Sequence, residues 1–225
     1  MILLGSAVNG IAIVIGGLIG MFAGKLLPER IRTALVPTMS LVTIGIAVPG
    51  MMKTENLLIP ILSMVIGTFI GELIDIDGAL QKLSNKLQSK FKGSSVAEGF
   101  FTCSLVFAVG AVAVMGALDS GLKGDHNLLY AKALMDGTAS IAFAAALGLG
   151  VVFSAVTVFV VEGGIALLAG LAAPLLSTAV INEISFVGSL LIIGISLNMM
   201  GATKLRVLNM VPALVLPLVL CQFML

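Results

Sequence analysis

Apolar stretches long enough to cross a lipid bilayer follow one another almost without pause along this chain, and that pattern constrains the fold more than any other feature. A hydrocarbon core about 30 Å thick takes about 20 helical residues. Windows of that kind lie near 2–24, 33–52, 57–75, 98–118, 128–148, 150–176, 184–201 and 207–224. The sequence therefore predicts an all-α, polytopic transmembrane helix bundle of about eight spans, forming a single transmembrane domain over 1–225. Composition agrees: 59% of residues are hydrophobic and 10% charged, with a mean hydropathy of +1.20, whereas soluble domains carry roughly 25% charged residues. The fifth and sixth windows are hardest to separate, because 127–181 is nearly continuous and offers two breaks, Gly148 with Gly150 or Gly163 with Gly164. No basic residue precedes Lys25, so the first window reads as a span and not as a secretory leader, whose first region is positively charged.

The net charge of +1 gives no reason to expect a nucleic-acid partner. Its distribution is more informative, since Lys and Arg of short loops gather on the cytoplasmic side. With both termini outside and eight spans, the cytoplasmic connections hold Lys25, Arg30 and Arg32, then Lys82, Lys86, Lys90 and Lys92, then Lys204 and Arg206. Only Lys53, Lys123 and Lys132 of the 12 basic residues then fall on the outer side. Between the third and fourth windows, Ile76, Leu80, Leu83, Leu87 and Phe91 form one helical stripe and Lys82, Lys86 and Lys90 another. This predicts a cytoplasmic amphipathic helix near 76–92 lying in the membrane interface; a solvated charged connector is the alternative.

Internal repeats are expected. VIGGLIG at 14–20 and VIGTFIG at 65–71 are close copies, and IGGLIGMFAGKL at 15–26 resembles IGISLNMMGATKL at 193–205, each followed by a Val-Pro pair. These pairings give parallel repeats, whereas IGIAVPGMM at 44–52 against IGISLNMM at 193–200 gives an inverted one, the commoner transporter device. Gly16, Gly20 and Gly24 make a small-residue ridge echoed by Gly67 and Gly71, and such ridges bring helices together in lipid. Their reading is helix packing, within one protomer or in a homo-oligomer.

An ionisable side chain at the bilayer centre costs at least about 2.5 kcal/mol on insertion scales, so each needs a partner or a wet cavity. Asp136 lies deep in the fifth window, with Lys132 one turn before it and Thr138 and Ser140 behind it. Together they predict a polar, protein-enclosed pathway for an ion or solute, set against an acid–base pair that merely locks two helices. Glu162 is mid-membrane if 150–176 is one helix, and a loop acid if the chain turns at Gly163 and Gly164. Glu72 and Asp75, at the end of the third window, are a carboxylate pair able to meet a cation or simply to end a span. Asn9 and Asn198 are interhelical hydrogen-bonding residues by default and ligand contacts as the alternative.

The connection with Asp119, Asp125 and His126 reads as a hydrated loop, with a metal vestibule as the alternative, and the metal question stays open. Cys103 and Cys221 fall in apolar runs and imply no disulfide framework. No zinc-protease, Walker A or nucleophile-elbow motif occurs, so neither an enzyme nor a cofactor is expected.

GELIDID, the run SLVFAVGAVAVMGALDSGLKGDHNLLYAKALMDG, and LGLGVVFSA together resemble the YdfK/YqgA family of bacterial multi-pass membrane proteins, a domain-of-unknown-function group. The resemblance covers nearly the whole chain. It implies a bacterial inner-membrane location and a transport protein of unspecified substrate, and it implies Gln where this chain has Glu162. The functional expectation is a transporter or channel-like permease for a small ion or solute, set in the lipid bilayer, with Asp136 as its main polar determinant. The alternative is a non-transporting membrane scaffold or regulatory partner.

Overall fold

The computed structural model of the chain describes residues 1–78 and 96–224, and among them every regular element is helical. In order these are α1 (Leu4–Leu26), α2 (Glu29–Met51), α3 (Leu58–Ile74), α4 (Val96–Ala108), α5 (Ala111–Lys123), α6 (Asn127–Leu147), α7 (Gly150–Leu167), the single turn α8 (Ala169–Ala172), α9 (Thr178–Met199), a 3-10 helix (Val207–Leu214) and α10 (Pro217–Met224). Every predicted window coincides with helix, but the expected count of eight spans is not reached. Among the described residues four helices, α1, α2, α7 and α9, are long and apolar enough to cross a membrane, and six if each of two bent pairs makes one span.

The shortfall has physical causes. Helix α3 has 17 residues, about 25 Å at 1.5 Å per residue, at the short limit for a hydrocarbon core. Helix α6 has 21 residues but is less apolar, because Lys132, Asp136, Thr138 and Ser140 sit in it. The windows 98–118 and 207–224 are broken: α4 and α5 meet at 61°, and the 3-10 helix and α10 at 46°. Gly110, with φ 154°, marks the first break. Pro212 inside the 3-10 helix and Pro217 at the start of α10 mark the second, each lacking the N–H that a continuous helix needs.

Of the two breaks left open between the fifth and sixth windows, the chain uses Gly148, whose φ of 72° suits a residue without a Cβ. Helix α7 then runs unbroken through Glu162, Gly163 and Gly164 to Leu167, so Glu162 is a helical acid and not a loop one. Of the expected interfacial helix at 76–92, the part from residue 79 onward lies outside the described residues.

The chain forms two compact units, each drawn from two stretches of sequence: Met1–Met39 with Ser94–Pro174, and Ser40–Gly93 with Leu175–Leu225. In the first, α1 packs most extensively on α6 and also on α7, while α7 packs on α4 and α5. The α1–α6 seam is backbone against backbone: a Cβ at Gly16 would strike the Gly137 carbonyl, one at Gly20 the Ile141 carbonyl, and one at Gly24 would lie 2.7 Å from the Ala145 carbonyl. Ile11, Ile15, Ile19 and Phe22 face outward, while Asn9, Gly16 and Gly20 face inward. That inverts the pattern of a water-soluble helix, as expected where lipid is as apolar as the side chains and small residues gain by close approach.

In the second unit, α3 packs on the 3-10 helix, with Gly71 against the Asn209 carbonyl and Gly67 against Ala213. The likeness between the two glycine segments therefore extends to packing chemistry, a ridge laid on a partner's backbone, and stops at the kind of partner. Ile59, Val180 and Cys221 form a buried apolar core nearby. At one end of this unit Glu183, fully buried, accepts from the Thr54 hydroxyl at 2.8 and 2.9 Å, Glu55 N at 2.8 Å and Asn56 N at 3.2 Å, fixing the α2–α3 loop to α9. Near the C-terminal end of α3, Arg206 pairs with Glu72 at 2.6 Å and with Asp75, and Asp77 N donates to Asn209 Oδ1 at 2.7 Å.

Candidate functional site

Leu129, Lys132, Ala133, Asp136 and Ser140 recur at three- and four-residue spacing and form one buried face of α6. Lys132 and Asp136 are both 8% exposed and paired across one turn. Lys132 does not snorkel outward. Its ammonium donates to the Phe107 carbonyl at 2.6 Å and to Asp136, and lies 3.5 Å from Glu162 Oε1. Phe107 sits in the last turn of α4, just before the bend, where carbonyls lack the next turn's N–H partners and the helix end is partly negative. The bend thus supplies an acceptor, and α6 a cation to meet it.

Glu162 arrives from α7 and Asn9 from α1, both 0% exposed. Asn9 Nδ2 donates to Asp136 Oδ2 at 3.1 Å and to Glu162 Oε1 and Oε2 at 3.0 and 3.1 Å. The other end of the same amide, Asn9 Oδ1, is buried without a hydrogen-bond partner, a condition that costs about 1–3 kcal/mol. Phe107 and Phe143, both buried, meet edge to face at 5.9 Å. Four helices, α1, α4, α6 and α7, therefore converge on one polar cluster within the first unit.

Its charges do not cancel. Two carboxylates face one ammonium, and in a medium of low dielectric the remaining negative charge demands a proton or a bound cation. That is the chemistry the arrangement can perform: it can take up and release one positive charge inside an apolar surround.

Of the residues singled out from sequence, Asp136, Lys132, Glu162 and Asn9 are brought together. Ser140 is buried beside them, but its hydroxyl donates to the Asp136 backbone carbonyl at 2.7 Å and so closes on its own helix. Thr138 is exposed and bonds back to Leu134 and Met135 carbonyls, so it does not share the cluster. Glu72 and Asn198 belong to the second unit. Glu72 pairs with Arg206, and Asn198 closes the loop after α9, donating to Leu205 O at 2.7 Å and accepting from Thr203 Oγ1 at 2.7 Å and Leu205 N at 2.8 Å. In the Asp119–His126 connection, His126 Nδ1 and Ser120 Oγ lie 2.8 Å apart and Lys123 pairs with Asp119 at 2.6 Å. Among the described residues no three His, Cys, Asp or Glu side chains converge as a metal set.

Sequence reasoning missed two groups. The Phe107 carbonyl carries no side-chain signal at all. Glu183 fell just before the window at 184–201; the signal that finds it is Ser177, which caps α9 by accepting from Val180 N and so starts the helix earlier.

Comparison with known proteins bears on the whole chain. The family described as "Protein of unknown function (DUF554)" matches residues 4–222. The chain is 30% identical over 219 residues to the uncharacterized membrane protein YdfK of Bacillus subtilis (strain 168), covering 95% of this chain and 93% of that protein. It is 28% identical over 220 residues to the uncharacterized protein YqgA of Escherichia coli (strain K12), covering 95% and 94%. No solved structure matches the chain. With apolar helices of spanning length and a match from end to end, the chain is a membrane protein of the DUF554 family.

Proposed function

We propose that this protein carries a small ion or solute across the bacterial inner membrane, as a transporter or channel-like permease and not as an enzyme. Asp136 is the main polar determinant of the pathway, with Lys132, Glu162 and Asn9 around it. The observation that carries this reading is the lodging of the Lys132 ammonium among Asp136, Glu162 and the Phe107 carbonyl at the bend of a discontinuous apolar helix. Broken helices whose ends meet charged groups are the usual construction of transporter sites, and intramembrane ionisable residues mark transport pathways by default. The relatives' bacterial origin and the gathering of basic residues in alternate connections support an inner-membrane location with both termini outside.

The test is uptake by the full chain reconstituted in proteoliposomes. Asp136→Asn leaves one acid facing one base, a balanced pair, so the protein is expected to stay folded in detergent while uptake is lost. Normal uptake by that variant removes Asp136 from the pathway.

A scaffold or regulatory role has one observation of its own: Asp136 is already paired with Lys132 and bonded to Asn9, as a lock between helices would be. Under that reading Asp136→Asn lowers thermal stability and leaves cellular function intact, and no flux appears in the reconstituted system.

A further inference from the structure

Asn9 presents the cluster with two chemically opposite ends. Its Nδ2 stands 3.0–3.1 Å from three carboxylate oxygens that reach it from α6 and α7, two of which, Asp136 Oδ2 and Glu162 Oε1, also face the Lys132 ammonium. Its Oδ1 is buried and answered by nothing. Turning the amide over would bring Oδ1 toward those same oxygens, a contact that is repulsive unless a cation lies between them. With one there, the oxygen acceptors of Asn9, Asp136 and Glu162 all face one positive centre, and the orphaned acceptor gains a partner while the Nδ2 donors give up theirs, a loss the cation's attraction has to exceed.

We propose that Asn9, Asp136 and Glu162 form a binding site for a monovalent alkali-metal cation, with the Asn9 amide holding the place in the cation's absence and becoming a ligand in its presence. The charge count selects the valence. Lys132 leaves one negative charge over, which a monovalent ion cancels, whereas a divalent ion would leave a positive charge in the same apolar surround. The donor set selects the ion type, since every group is a hard oxygen. A proton would meet the same charge with one carboxylate and one neighbour, and the response to pH at fixed salt separates it from an alkali cation. The site rests on the same cluster as the transport reading and names the ion that cluster takes.

The experiment measures thermal unfolding of the purified full chain in detergent, at fixed pH and ionic strength, with NaCl or KCl replacing choline chloride. A saturable rise in Tm with sodium or potassium supports the site. Glu162→Gln, which keeps the shape and removes the surplus charge, is expected to weaken the response by roughly tenfold or more in apparent affinity, as is Asn9→Ala; if Asn9→Ala does not fold, Glu162→Gln decides alone. A Tm that is equal in all three salts, that responds only to pH, or that keeps its full alkali response in the variants overturns the proposal. A Tm equal in all three salts in a chain that still carries radiolabelled sodium or rubidium into proteoliposomes overturns the site while leaving the transport reading intact. A saturable alkali response in a chain that carries neither radiolabelled sodium nor radiolabelled rubidium into proteoliposomes supports the site and removes the reading of these ions as cargo.

Discussion

Glu183 and Asp136 are both carboxylates withdrawn from water, and their surroundings treat them differently. Glu183 is held by a hydroxyl and two backbone N–H groups of one loop, so its work is to keep that loop in place. Truncating it leaves those donors unpaired, and Glu183→Ala is expected to lower stability by about 1–3 kcal/mol, read as a fall in Tm, with Glu183→Gln recovering part of it because one acceptor oxygen remains. Asp136 instead shares a cation with Glu162. Removing that cation in Lys132→Met leaves two buried acids unopposed, and breaking a buried ion pair costs about 3–5 kcal/mol; combining it with Asp136→Asn is expected to restore much of the loss, and a double variant no more stable than Lys132→Met would refute the pairing. The Lys132–Asp136 pair was legible in the sequence because one helix carries both at a spacing of four. Asn9 and Phe107 were not recognised as its partners, because they lie 127 residues from Asp136 and 25 from Lys132 respectively, and no local pattern announces a contact at that distance.

At the scale of the element, the glycine ridge of α1 sets how closely Asn9 approaches the acids. A methyl group at position 20 would have to displace the Ile141 carbonyl, so Gly20→Ala is expected to cost about 1–3 kcal/mol, and Gly20→Leu to part α1 from α6. The check is Tm together with the alkali response, since a parted seam loses both, and Gly20→Leu with wild-type stability would mean that the seam does not hold the helices together. The ridge was readable as packing from its spacing alone. The bends were not: hydropathy averages over a window, while a bend is decided at Gly110 or at Pro212 and Pro217, within a few residues that leave the average unchanged. The opposite case is α7, where Gly148 and Gly163 competed on equal terms in the sequence. A glycine inside an apolar helix is tolerated where neighbours pack on it, and Gly163 has Leu3 and Ser6 beside it.

For the whole molecule, composition sufficed for an all-α membrane protein, and the helical elements, with apolar helices of spanning length among them, agree with it. The number of spans did not follow, because a 17-residue helix and two bent pairs fall between spanning and not spanning. Placement of both termini outside is open to direct measurement: Ile2→Cys and Phe223→Cys sit at exposed positions, while Cys103 and Cys221 are buried and give little background. Labelling of both by a membrane-impermeant thiol reagent on spheroplasts is expected, and labelling of either only after the membrane is opened sinks the assignment. The cluster's hydrogen bonds join positions 127 and 153 residues apart, which has a bearing on biogenesis. Ribosomes add about 5–20 residues per second, so roughly 6 to 30 seconds separate the synthesis of α1 from that of the helices bearing its acids. For that interval the nascent first helix waits with its amide unanswered and its glycine face bare, and the emergence of α7 is the event that completes the site.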